Sequence, residues 1–99
     1  MQVYVQQAIF VDGKPNMPLT DEHPPWLADA FKFGQVGVVR LEDNRAVLAI
    51  KTAKGVQVGE AGDKISNDLM HGLVLEKKAT NSLTWEVVEK MLQEREANG

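Results

Sequence analysis

QVGVVRLEDNRAVLAIKTAKGVQVG, residues 35–59, is the stretch that decides the fold. Val36 and Val38 alternate with Gly37, Val39 and Leu41, a period of two that belongs to a strand and not to a helix. Glu42-Asp43-Asn44-Arg45 is a polar turn, and residues 46–52 return as a second strand, so the pair reads as a hairpin. Thr52-Ala53-Lys54-Gly55 turns the chain again, with glycine where a type I turn and bulge need a left-handed residue. Val56-x-Val58 continues the meander, and Gly59-Glu60-Ala61-Gly62-Asp63 breaks it. Lys64-Ile65-Ser66 resumes it, residues 67–72 loop, and Leu73-x-Leu75-x-Lys77 closes a meander of four or five short strands.

Outside that centre the chain reads as follows. Val3, Val5, Ile9 and Val11 fall at odd positions while Tyr4, Ala8 and Phe10 fill even ones, which predicts one N-terminal strand covered on both faces. Asp12-Gly13-Lys14-Pro15-Asn16 ends it and a loop runs to Glu22. Pro24-Pro25 suit a helix first turn and Gly34 a stop, and between them Trp26, Leu27, Ala30 and Phe31 share one helical face. Asn81, Ser82 or Thr84 can cap a last helix, with Glu86 near its positive end and a stripe of Leu83, Val87, Val88, Met91 and Leu92. The order predicts one α+β domain over residues 1–99. It has a four- to five-stranded, mostly antiparallel sheet, with one short helix and one longer C-terminal helix packed on it.

Composition excludes several functions. Ninety-nine residues without cysteine and 43% hydrophobic suit a single core with no disulfide staple. A net charge of −3 argues against a general nucleic-acid or anionic-membrane binder. No apolar run approaches the roughly 20 residues that span a bilayer, and the N-terminus has no basic, apolar leader, so the expected location is the cytosol.

Chemistry is sparse. Gly-x4-Gly-Lys-Ser/Thr, Gly-x-Ser-x-Gly, His-Glu-x-x-His and a cysteine nucleophile are all missing, and the glycines at 55, 59 and 62 match no phosphate fingerprint. No cofactor or metal site is expected, since His23 and His71 are far apart in sequence. His71 with Asp63 or Asp68 is the one candidate for acid–base work; an Asx turn is the structural reading of Asp63. Charge is uneven: residues 1–34 and 79–99 each sum to −2, residues 35–50 balance, and residues 51–78 sum to +1. Lys51, Lys54, Lys64 and Lys77 could therefore form a basic face on the meander that holds a small anion, although edge lysines also block sheet aggregation. The pocket expected for such a ligand lies at a subunit or helix–sheet boundary, lined by Tyr4 or Trp26, by those lysines and by His71. Phe31, Phe33, Trp26 and Trp85 are expected in the core, with Trp26 and Trp85 also able to mark an interface.

Several segments together resemble a known family. These are Val3-Tyr4-Val5-Gln6-Gln7-Ala8-Ile9-Phe10-Val11-Asp12-Gly13, Pro25-Trp26-Leu27-x-Asp29-Ala30, Ala49-Ile50-Lys51-Thr52-x-x-Gly55-x-x-Val58 and Gly62-Asp63-x-Ile65. Their order and spacing resemble short phage and prophage proteins of the Pro-Gly-Asp-Tyr-Ile type over most of the chain. The departures are Ala61 for the family's proline, Lys64 for its aromatic, Gly72-Leu73-Val74-Leu75 for an aromatic strand and Leu83-Thr84-Trp85-Glu86 for its closing segment. The resemblance implies a small α+β protein of phage or prophage origin and carries over no catalytic residue.

The function expected is that of a non-enzymatic phage accessory protein acting by binding in the host cytoplasm. It would counter bacterial defence by sequestering a small anionic, nucleotide-like signal, or by blocking a host protein through the last helix with Glu86, Glu89, Glu94 and Glu96. The alternatives are a small hydrolase using His71 with a nearby carboxylate, and a phage structural or assembly subunit. The width of the last helix's apolar stripe, with Trp85, further suggests a homodimer through it.

Overall fold

A computed structural model describes residues 2–78 and 83–98. Its strands are β1 (Gln2–Tyr4), β2 (Ala8–Val11), β3 (Lys14–Pro15), β4 (Val36–Arg40), β5 (Arg45–Thr52), β6 (Gly55–Gly59), β7 (Lys64–Asp68) and β8 (Gly72–Glu76); the helices are α1 (Pro25–Lys32) and α2 (Trp85–Asn98). The α+β class, the antiparallel meander and the short and long helices are as the sequence indicates. The strands divide between two sheets, one of three in the order β1-β7-β8 and one of five in which β5 carries β4 on one edge and β2 and β6 on the other.

The N-terminal reading needs correction. Val3 and Val5 are buried at odd positions and Ala8 at an even one, while Tyr4, Ile9 and Val11 are exposed. The alternation slips one residue at Gln6-Gln7, and a slip of one exchanges the buried and solvent faces of a strand. The chain therefore leaves one sheet after β1 and enters the other at β2. The Asp12-Gly13 turn, with φ of +54° and +82°, is a two-residue hairpin loop that pairs Val11 with Lys14 and adds the short β3.

Local signals account for α1. Pro24 and Pro25 open it without losing an intrahelical bond, and Gly34, at φ +77°, closes it. Gly34 N–H donates to Phe31 O at 3.2 Å and Gln35 N–H to Ala30 O at 2.8 Å, the paired bonds of a Schellman end. Phe33, expected in the core, is 71% exposed because it sits at that helix end, beyond the apolar stripe.

β5 is buried on both faces. Ala46, Leu48 and Ile50 join Val3, Val5, Leu27, Ala30, Val36, Ile65, Leu73 and Leu75 between the two sheets and α1. Val47, on the opposite face, packs with Leu41, Val58 and Val88 of α2, and Leu83, Trp85, Met91 and Leu92 lie against that cluster. Most of the α2 stripe thus packs within the chain; Val87 is its exposed member. Thr84 caps α2, its Oγ1 accepting the Val87 N–H at 3.4 Å, whereas Asn81 and Ser82 lie outside the described residues. Among the described residues no helix is long and apolar enough to cross a membrane.

Candidate functional site

Three turns converge to make a cleft. The Schellman end of α1 delivers Gln35, whose carbonyl accepts Lys51 N–H at 2.8 Å and so ties the end of the helix to β5. Thr52 shapes the β5–β6 turn: its Oγ1 accepts Lys54 N–H at 3.1 Å and lies 2.9 Å from Gly55 O and 3.1 Å from Gln57 Oε1. Asp68 shapes the β7–β8 turn by accepting Met70 N–H at 2.8 Å, and Gly72, at φ +74°, returns the chain to β8. Leu69 and Met70 at the tip of that turn are fully exposed.

The hollow between these elements has a volume of about 450 Å³ and is walled by Trp26 and Asp29 of α1, Gln35, Lys51, Thr52, Asn67 and His71. A narrower, largely apolar extension of about 150 Å³ continues from Thr52, Ala53, His71 and Leu73 to Lys54, Gln57, Val74 and Leu75. Trp26 Nε1 is buried and has no hydrogen-bond partner among the described residues, so the indole carries an unused donor.

Of the seven residues nominated from sequence, Trp26, Lys51, Lys54 and His71 meet here. Tyr4, Lys64 and Lys77 do not line this cleft. Tyr4 and Lys64 are cross-strand partners on the three-stranded sheet, and Lys64 Nζ bonds Glu76 Oε2 at 2.9 Å, which holds its ammonium above 10.5. Lys77 Nζ lies 2.6 Å from Asp63 Oδ2 and 3.3 Å from Glu60 Oε2, and donates to Val58 O at 2.6 Å. It joins the strands. Lys51 and Lys54, by contrast, have no ion-pair partner among the described residues, and their charges are available to a ligand.

Asp63 and Asp68 part company as well. Asp63 is 2% exposed, and instead of closing an Asx turn onto the residues after it, it accepts Glu60 N–H and Lys78 N–H, each at 2.8 Å. Asp68 is the carboxylate beside His71, with Oδ2 2.9 Å from Nδ1; this bond, with the Met70 N–H, holds the Asp68 carboxyl below its ordinary 3.8. The His71 side chain is 66% exposed. His23 lies elsewhere, tilted against Phe31 at 5.8 Å. Among the described residues no cluster of three or more His, Asp or Glu side chains could hold a metal. The site can therefore offer two ammonium groups and an imidazole to an anion, an indole face to a ring, and the Asp29 carboxylate to a donor.

The comparisons with known proteins add no relative: no family model, curated protein or solved structure matches the chain.

Proposed function

We propose that the chain is a binding protein whose ligand is a small anion bearing a planar ring, of the nucleotide class, held between α1 and the two hairpin turns. The observation that carries this reading is the meeting of Trp26, Lys51 and His71, from three separate stretches of sequence, around one hollow, with Lys54 in the extension that adjoins it and neither lysine in an ion pair among the described residues. Asp29, Gln35 and Asn67 offer acceptors and donors for the polar edge of a ring, and the indole a stacking face. With the resemblance to phage proteins, the setting we propose is a viral accessory protein that withholds such a signal in the bacterial cytoplasm.

Intrinsic fluorescence tests the reading. In a Trp85→Phe variant the remaining indole is Trp26, and titration with mononucleotides and cyclic dinucleotides should quench or shift its emission for at least one of them. Lys51→Ala alone should weaken that ligand about 10- to 100-fold, since a hydrogen bond to a charged group contributes about 1.5–3 kcal/mol, and adding Lys54→Ala should weaken it further. A flat response across the panel would overturn the proposal.

The 2.9 Å contact between His71 and Asp68 favours a second reading, in which His71 serves as the base of a hydrolase. Mass spectrometry of each nucleotide after incubation separates the two readings: turnover supports hydrolysis, and recovery of intact ligand supports binding.

A further inference from the structure

We propose that the outer edge of β8 takes up an extended peptide strand from a partner protein, antiparallel to β8, whose C-terminal carboxylate ends beside Lys54 and His71. Backbone bonds fix which groups of β8 face outward. Tyr4 N–H donates to Asp21 Oδ1 at 2.8 Å and Tyr4 O accepts Asp21 N–H at 3.0 Å, so Tyr4 turns its backbone away from β7. Val5 N–H, by contrast, donates to Asp63 O at 2.9 Å, on the β7 side, and Val3 shares that direction and faces Ile65. Ile65 therefore spends its groups on β1, and Lys64, Ser66 and Asp68 turn theirs to Glu76, Val74 and Gly72. By the same alternation, the N–H and C=O of Leu73 and Leu75 point out of the sheet edge.

Those outward groups belong to buried residues. Leu73 and Leu75 are 7% and 9% exposed, and their outward N–H and C=O have no hydrogen-bond partner among the described residues. A backbone group kept from water without a partner costs about as much as a lost hydrogen bond, so these groups call for one. The channel of about 150 Å³ runs along this edge. Leu73, Val74 and Leu75 all line it, although their side chains alternate between faces, which places it beside their shared backbone.

The channel is continuous with other space at both ends. At Thr52 and His71 it meets the hollow, and at Lys54 and Gln57 it adjoins a second hollow of about 450 Å³ beside Val58, Lys77 and Glu86. Lys77, next on the outward side, is committed to Val58 O, Asp63 and Glu60 and lines the second hollow, not the channel.

Charge selects the occupant and its direction. A strand antiparallel to β8 ends C-terminally at the Gly72 end, where Lys54 and His71 wall the channel and Lys54 has no ion-pair partner among the described residues. Its N-terminal side lies toward the Glu86 carboxylate. A free carboxylate and a main chain opposite Leu73 and Leu75 satisfy these groups together, which is strand addition with carboxylate capture. The strand lies in the channel and does not rest on the nucleotide reading, which uses the adjoining hollow.

Fluorescence anisotropy tests the proposal with a positional-scanning library of hexapeptides that carry an N-terminal dye and a free carboxyl terminus, up to a Kd of about 1 mM. We expect a preferred sequence to bind, and its C-terminal amide and the Lys54→Ala variant each to lower the affinity about 10-fold or more. N-methylation of a peptide amide that faces β8 should abolish binding. Hydrogen exchange on the complex should show the Leu73 and Leu75 amides newly protected, whereas the Val74 amide, which faces Ser66, is protected with or without peptide. No binding across the library, an affinity indifferent to amidation, to Lys54→Ala or to N-methylation, or unchanged exchange at Leu73 and Leu75 would each overturn the proposal. A flat nucleotide panel beside clear peptide binding would overturn the nucleotide reading alone.

Discussion

Replacing Asp63 with asparagine tests the network that holds β8 in register beside the cleft. Asp63 is nearly buried and accepts hydrogen bonds from two backbone N–H groups, those of Glu60 and Lys78, while its Oδ2 lies 2.6 Å from the Lys77 ammonium. An asparagine has one carbonyl acceptor, so in either orientation its amide NH₂ confronts one of those N–H donors. Leaving a buried donor unsatisfied costs about 1–3 kcal/mol. The lost attraction to Lys77 adds to this, offset in part because Lys77 keeps Val58 O at 2.6 Å and Glu60 at 3.3 Å. Removing one partner of a buried pair costs about 3–5 kcal/mol in total, and the lower figure is expected here because the Lys77 side chain is 23% exposed. A domain this size is stable by about 5–15 kcal/mol, so a loss of about 3 is a large share of it. The melting temperature should fall by about 12–24 °C, at about 4–8 °C per kcal/mol. Urea unfolding followed by circular dichroism should show a lower midpoint with an unchanged slope. The Asp63→Asn/Lys77→Met double variant should lose less than the sum of the single changes, with a coupling of about 1 kcal/mol or more. A melting temperature within about 4 °C of the wild type would refute the reasoning.

Two further outcomes are expected. The fold holds the Asp68 carboxyl below 3.8, so its contribution to the β7–β8 turn is complete above 3.8 and is lost as pH falls through the lowered value. His71→Ala should return that titration toward 3.8, read from the Asp68 side-chain carbon by NMR, and an unmoved titration would contradict the pairing. Gly59 and Gly37 should diverge on replacement by alanine. The new Cβ at Gly59 would lie 3.0 Å from Ile50 Cδ1 and 3.4 Å from Val5 Cγ2, costing about 1–3 kcal/mol. At Gly37 it meets open space in a strand, where alanine is favoured by about 0.5–1 kcal/mol. Equal melting temperatures for the two variants would contradict the packing.

The meander was legible in sequence because a period of two and the turn residues between its strands are local properties, and a register once started propagates. Helix α1 was legible for the same reason, with proline at one end and glycine at the other. The division into two sheets depends on one slip of alternation at Gln6-Gln7, whose only trace is that buried residues move from odd to even positions across a glutamine pair. That trace disappears when every apolar residue in the stretch is taken as buried, since Ile9 and Val11 are apolar and exposed. At the cleft, the residue types could be named and their spacing in the fold could not. Trp26, Lys51 and His71 are brought together by the ends of α1, β5 and β7, and no local pattern records where those ends meet.

Which lysines are free is the least legible property, and it decides what kind of ligand the cleft can hold. Lys64 and Lys77 are as basic in sequence as Lys51 and Lys54, yet the antiparallel register sets Lys64 opposite Glu76, and the break after β6 folds Asp63 and Glu60 against Lys77. The slight positive charge of the meander is therefore divided. One part is consumed in joining strands, and the other, Lys51 and Lys54, stands beside the hollow and its extension, with Asp29 in the same wall and His71 paired to Asp68. A polyanion would need that positive field to continue along the surface, whereas the segments flanking the meander each sum to −2, and at physiological salt charges are screened over about 8 Å. The arrangement suits an anion whose charge is confined to the width of the cleft. On the binding function proposed above, the Asp29 carboxylate in the wall with Lys51 would select an anion that also carries a hydrogen-bond donor, which is the chemistry of a phosphate joined to an amino-bearing ring.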